Sequence, residues 1–139
     1  METSDLFEDI DEFVDKAGLM LVDFTMKNIG RSHIIRLLVD KPERVTIKEC
    51  AELSRSIKDH LDGNMLQLNY RLEVSSPGIG RLLSTEVDWE RSVGRKLSVQ
   101  IEDEDFIDWL EGYSEGCLKF REGRIVTADD IVRAVEVLD

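Results

Sequence analysis

Few residues in this chain have the type and spacing of a reactive centre. The two histidines, His33 and His60, stand in a predicted strand and near a predicted helix end. Neither has a second ligand at metal spacing, so both read as structural groups. The two cysteines, Cys50 and Cys117, form no C-x-x-C pair and are too sparse for a disulfide scaffold. They read as reduced, buried thiols, Cys50 as a core residue. Ser75-Ser76-Pro77-Gly78 lacks the G-x-S-x-G pattern of a nucleophile elbow, and no histidine follows it to act as base. Gly78-Ile79-Gly80 lacks the third glycine and the following helix of a dinucleotide-binding turn. The acids from Glu102 to Asp105 lack the glycine-centred spacing of a calcium loop. The sequence predicts no catalytic residue, no metal site and no cofactor, and points to a protein that works by binding.

Composition narrows what is bound. The chain has 139 residues, with 30 Asp plus Glu against 18 Lys plus Arg and a formal net charge of −12. That length suits one ordinary domain or two small ones. A hydrophobic fraction of 42% is that of a folded protein. The acidity argues against a broad face that grips bare phosphate backbone and leaves a basic protein partner open. The longest stretch without a charged residue runs over the eight residues from Gly63 to Tyr70, so no membrane span of about 20 apolar residues is expected. Seven acids and no base in the first fifteen residues are the opposite of a targeting peptide, and the expected location is the cytoplasm.

The elements that must position any site follow from periodicity. From Ser4 to Ala17, the residues Leu6, Phe7, Ile10, Phe13, Val14 and Ala17 share one helical face, and Gly18 supplies the stop. Asp5, Glu8 and Asp9 sit near its first turn, where the helix dipole favours them. Val22, Phe24 and Met26 alternate with polar neighbours in a strand over 21–27, and His33 to Val39 is a second strand, with the turn over 28–31. Thr46 and Glu49 have the spacing of a capping box, with Val45 placed to staple against Cys50. The helix they start would bury Ile47, Cys50, Ala51, Leu53, Ile57 and Leu61 and end at Gly63. Leu68, Tyr70, Leu72 and Val74 alternate in a third strand. This α-β-β-α-β order predicts an α+β domain over residues 1–81, with two helices on one face of a three-stranded sheet and the other face partly open.

The segment from Ser75 to Arg81 breaks the periodicity, because Pro removes a ladder donor and Gly opens positive φ. Beyond it come short apolar runs: Leu97, Val99 and Ile101; Phe106 to Leu110; Leu118 and Phe120; and Ile131 to Leu138. They predict a second domain over residues 82–139, a small closed β-barrel of SH3 or Sm type. Thr127 and Asp130 are placed to cap one helical turn before its last strand. Ser84 onward holds 15 acids and 7 bases, a larger excess than the 15 and 11 before it. Seven acids and no base fall within the fourteen residues from Glu102 to Glu115. That run is either a solvated hairpin or an electrostatic docking surface for a basic partner.

One string identifies a family. Tyr70-Arg71-Leu72-Glu73-Val74-Ser75-Ser76-Pro77-Gly78 resembles the Y-x-L-E-V-S-S-P-G motif of the bacterial ribosome maturation factor RimP family. Upstream, Gly18, Val39-Asp40-Lys41, Val45-Thr46-Ile47, Cys50, Ser54-Arg55 and Leu61-Asp62 resemble further family positions in order. Downstream, Asp88, Arg91, Gly94 and Lys96 resemble a D-x-x-R-x-x-G-x-x run, and Trp109 to Gly112 and Ile131 to Ala134 resemble barrel strands. After the Ser-Ser-Pro-Gly the family usually continues L-D-R-P-L. This chain reads Ile79-Gly80-Arg81-Leu82-Leu83, and the additional glycine is expected to loosen the linker.

The resemblance implies a non-enzymatic assembly factor that binds the free, immature small (30S) ribosomal subunit in the cytoplasm. It implies a partner in the strongly basic small-subunit ribosomal protein number twelve, and the chain is expected to act as a monomer. On that reading Glu102, Asp103, Glu104, Asp105 and Asp108 are the candidate contacts to the basic protein. Arg31, Lys41, Arg44 and Lys48, around the ends of the second strand and the start of the second helix, are the candidate contacts to ribosomal RNA. Ser75, Ser76, Pro77, Gly78 and Arg81 read as interdomain geometry rather than as a ligand site. The alternative, from the barrel alone, is an Sm-like module that binds single-stranded RNA.

Overall fold

Helix α1 (Thr3–Lys16) stops at Gly18, whose φ of +75° a side chain with a Cβ would resist. The Gly18 N–H donates to the Asp15 carbonyl at 2.9 Å and the Leu19 N–H to the Val14 carbonyl at 3.1 Å, the paired bonds of a Schellman stop. Leu6, Ile10 and Val14 are buried on its inner face, while Phe7 stays 41% exposed against the ring of Phe24. The computed structural model describes residues 3–64 and 69–138, in two compact units, Met1–Pro77 and Gly78–Asp139.

In the first unit, β1 (Met20–Ile29) and β2 (Ser32–Asp40) form an antiparallel hairpin around Gly30-Arg31. Strand β3 (Asn69–Ser75) joins the far side of β2 in parallel, giving the order β1-β2-β3. A parallel neighbour requires a crossover, and helix α2 (Ile47–Asn64) supplies it. The capping box is present: the Thr46 N–H donates to Glu49 Oε1 at 3.0 Å and the Glu49 N–H to Thr46 Oγ1 at 3.1 Å. Helices α1 and α2 cover one sheet face, and their core holds Ile35, Leu37, Val39, Leu53, Ile57 and Leu61.

Three expectations for this unit change. Ile47 is not an inner-face residue but 89% exposed, because it is the first residue of α2 and projects beyond the core. Gly63 lies within the last turn of α2 instead of ending it, and Leu68 falls outside the described residues. The β1 register shifts between Leu21 and Asp23, so Leu21 takes the core place expected of Val22, ahead of Phe24 and Met26.

The second unit opens with α3 (Glu86–Arg91) and continues with β4 (Lys96–Ile101), β5 (Glu104–Ser114), β6 (Cys117–Phe120) and β7 (Ile125–Thr127). A single 3-10 turn over Ala128–Asp130 leads to β8 (Ile131–Glu136), and the strand order is β7-β6-β5-β4-β8. Strand β5 serves two partners. Its first half pairs with β4 and its second with β6, the β6 pairing carrying a register shift between Leu110 and Gly112. Leu97, Val99, Leu110, Leu118, Phe120 and Ala134 are buried at the centre. The 3-10 turn forms where it was expected, but the Thr127 side chain makes no cap bond. Cys117 is exposed at the start of β6, contrary to its reading as a buried thiol, whereas Cys50 is buried and its thiol is pushed up by that burial. Among the described residues no helix is long and apolar enough to cross a membrane.

Helix α3 escaped the periodicity reading because six residues are too few to show it. Thr85 and Asp88, three apart, were the available signal, since they form a capping box. Asp88 does more than cap. Its Oδ2 accepts the N–H groups of Ser84 (2.9 Å) and Thr85 (3.1 Å), and its Oδ1 accepts Arg91 Nε (3.1 Å) and Nη2 (3.0 Å). Both side chains are almost fully buried. Burial alone would raise the Asp88 carboxyl, but the two backbone donors and the guanidinium outweigh it and hold it below the usual carboxylate range.

Its stabilisation is therefore present above the unfolded carboxylate pKa of about 4 and lost as pH falls through the lower folded value. Arg91→Met strands this carboxylate and is expected to destabilise the second unit by about 3 kcal/mol. Urea denaturation followed by the fluorescence of Trp89 and Trp109, the chain's two tryptophans, reads this unit directly. A loss below about 1 kcal/mol would mean that the backbone donors alone satisfy Asp88.

Candidate functional site

The residues of the junction string divide by the faces of β3. Tyr70, Leu72 and Val74 pack toward the helices. The Tyr70 hydroxyl donates to Asp62 Oδ1 near the end of α2, and burial, followed by that carboxylate, pushes its pKa up to about 12. Arg71 and Glu73 face the other way, where Glu73 accepts Arg36 Nε at 2.6 Å and lies 3.3 Å from Arg71 Nε. Ser75 ends the strand in register with Leu38, and Ser76 is exposed. The Arg81 N–H donates to the Gly78 carbonyl at 3.1 Å, closing a turn. Neither Gly78 nor Gly80 has positive φ, so the expectation that glycine opens that conformation here is corrected; the turn is built from ordinary backbone.

Between the start of α2 and the end of β3 lies a groove of about 420 Å³. Ile47, Cys50 and Ser54 line one wall, and Leu72, Val74 and Ser75 the other. Several positions that carry the family resemblance thus meet in space. The strand pairing that brings them together was not readable from spacing.

The candidate RNA contacts separate into two places. Lys41, Arg44 and Lys48 gather at the β2–α2 loop, while Arg31 sits in the β1–β2 turn at the other end of β2. Nine strand residues separate those ends by about 26 Å. Lys41 Nζ lies 2.9 Å from Glu49 Oε2, an interaction that raises the lysine and lowers the glutamate. Lys48 lies 3.9 Å from Glu52. Arg44 has φ +77° and closes the loop turn through its N–H to the Lys41 carbonyl at 2.8 Å.

The acidic run also divides. Glu102 and Asp103 form the two-residue β4–β5 turn, and Glu102 through Asp105 are exposed. Arg124 pairs with Glu104 and lies over the Phe106 ring at 4.1 Å. Asp108 leaves this surface group: it is buried, and its oxygens accept the N–H groups of Trp109 (2.7 Å) and Glu122 (3.0 Å). The sequence reading missed this because Glu122 lies fourteen residues away, across the β5–β6 hairpin.

Both histidines have side-chain partners: His33 bonds to Asn28 across the β1–β2 hairpin, and His60 Nε2 on α2 lies 3.1 Å from Asp9 Oδ2 on α1. Among the described residues no three His, Cys, Asp or Glu side chains converge as a metal site. What the geometry offers is a groove, an acidic tip and basic surfaces, all suited to binding. The RimP N-terminal domain model matches residues 9–80, just over half of the chain. The match runs from α1 through β3 and on into the junction.

The two kinds of acid in the hairpin are separable by experiment. Asp108→Ala removes the acceptor of the Glu122 N–H and is expected to lower the stability of the second unit by about 1 to 2 kcal/mol. Asp103→Ala, at the exposed turn, is expected to stay within about 0.5 kcal/mol of the parent chain in the same urea titration. Equal effects of the two would remove the distinction.

Proposed function

The chain belongs to the RimP family of ribosome maturation factors, and we propose that it binds the free, immature small ribosomal subunit in the cytoplasm and promotes its assembly without catalysis. The supporting observation is the matched domain, which carries a capped α2 and, up to Pro77, the junction string in one compact unit. The partner on that subunit is a basic protein, small-subunit ribosomal protein number twelve in the family's pattern, met by the acidic second unit. The exposed acids Glu102, Asp103 and Asp105 at the β4–β5 tip suit this role, because a concentrated negative tip steers a cationic partner and speeds encounter. The second unit is read as an SH3/Sm-like barrel. The order β7-β6-β5-β4-β8, the long shared β5 and the 3-10 turn between its two edge strands support that reading. The Sm-like alternative, an RNA-binding barrel, is less favoured by a surface whose exposed hairpin tip is acidic.

Co-sedimentation provides the test. The chain is expected to travel with free small subunits and not with complete ribosomes; equal binding to both, or to neither, overturns the assignment. Glu102→Lys with Asp103→Lys is expected to slow association with the isolated basic ribosomal protein by about tenfold at low salt and far less at high salt. An unchanged on-rate would remove the tip from the interface.

A further inference from the structure

The first unit is polarised in a way that its net charge hides. Helices α1 and α2 together carry ten acids and four bases. Both pack on the sheet face that presents Met26, Ile35 and Leu72. Strand register puts a different population on the opposite face. Lys27, Ile34 and Arg71 are partners across the three strands; Thr25, Arg36 and Glu73 form the next row, and Asp23, Leu38 and Ser75 the one beyond. Arg31 occupies the turn at the Lys27 end.

Three cations therefore share these rows with two acids, Arg31 stands in the turn at their edge, and both acids are engaged. Glu73 is bound by Arg36 and Arg71, whose side chains remain 56% and 73% exposed. The Asp23 carboxylate accepts the Phe24 N–H at 2.9 Å. Lys27 and Arg31 are exposed and make no ion pair among the described residues. Ile29, 60% exposed, and Ile34 lie between the cations.

We propose that this open sheet face, carrying Lys27, Arg36 and Arg71 with Arg31 in the turn at its edge, is a docking surface for an RNA backbone. Charge complementarity selects the occupant, since the face is locally cationic on a protein that is otherwise strongly acidic. Lys27 and Arg71 stand two strands apart in one row, about 10 Å, with Arg36 on the strand between them one row along, a spread that suits a run of phosphates better than one carboxylate. The three rows contain no aromatic side chain, so the face offers no stacking platform for bases. It positions RNA without reading its sequence. The inference rests on the small-subunit reading and deepens it by moving the RNA contact from Lys41 and Lys48, which face Glu49 and Glu52, to the sheet.

The full chain is titrated with small-subunit ribosomal RNA transcribed in vitro and, separately, with purified free small subunits. Lys27→Gln with Arg31→Gln leaves the Glu73 pairs intact. On the RNA this variant is expected to bind about tenfold more weakly at 0.1 M salt, with the slope of log K against log salt shallower by about 1.4. Lys48→Gln is expected to match the parent chain. Equal affinity and slope for parent and double variant, or an equal loss in Lys48→Gln, overturns the assignment. So does a double variant that keeps its RNA affinity while losing the subunit, since the face would then hold a protein. If the parent chain binds the RNA with this cation dependence but not the free subunit, the RNA face stands and the maturation role falls.

Discussion

The parallel pairing of β2 with β3 is the constraint from which the first unit follows. A strand that runs alongside its neighbour in the same direction cannot be reached by a tight turn, so eighteen residues of α2 must cross from the end of one to the start of the other. The β1–β2 hairpin needs no such crossover. Helices α1 and α2 pack on one face, and among the described residues no element of this unit covers the opposite one. The same crossover lays the start of α2 beside the end of β3, which creates the groove lined by Ile47, Cys50, Leu72 and Val74. One topological choice thus produces the bare face and the groove together.

The second unit depends on a different device. Asp88 and Arg91 are buried charges, which by themselves weaken a fold, yet each Asp88 oxygen is satisfied by directed donors. The pair ties the segment entering α3 to the helix's last turn, beside the buried Trp89 that follows Asp88 in sequence. Much of the family resemblance is of this kind. Thr46 caps a helix, Tyr70 tethers β3 to α2, and Asp88 holds α3, so each of these residues has a role within the fold.

The reach of each interaction explains what the sequence disclosed. Local chemistry was legible: the Thr46–Glu49 box, the Gly18 stop and the alternation of Tyr70, Leu72 and Val74 each depend on neighbours within one turn or one strand. Features set by distant partners were not. Asp108 looks like one more acid in a run until the β5–β6 hairpin returns Glu122 to it. Val22 alternates correctly until a bulge shifts it, and Ile47 fits the helical stripe but sits at its exposed beginning. Lys27, Arg36 and Arg71 are scattered along the chain, and strand register alone makes them neighbours. The candidate RNA contacts Lys41, Arg44 and Lys48 were visible because they are close in sequence, and the structure shows two of them already beside glutamates.

A net charge of −12 does not forbid an RNA backbone on this protein, because the charge that matters is the charge nearby. At physiological salt the Debye length is about 8 Å. A helix layer packed on a sheet stands about 10 Å from it, more than a Debye length, so the solvent-exposed acids of α1 and α2 are largely screened from the far face. Glu73 has no such distance and is the real opponent of a phosphate, lying in the same row as Arg36. Its effect has two signs. It neutralises one charge, but it also holds two guanidinium groups in place before any ligand arrives, which lowers the side-chain entropy lost on binding. Lys27 and Arg31, free of such a partner among the described residues, then supply the unbalanced charge that draws the backbone in. The net charge of the whole protein acts at long range, whereas what can rest on the sheet depends on the cations within a Debye length of it.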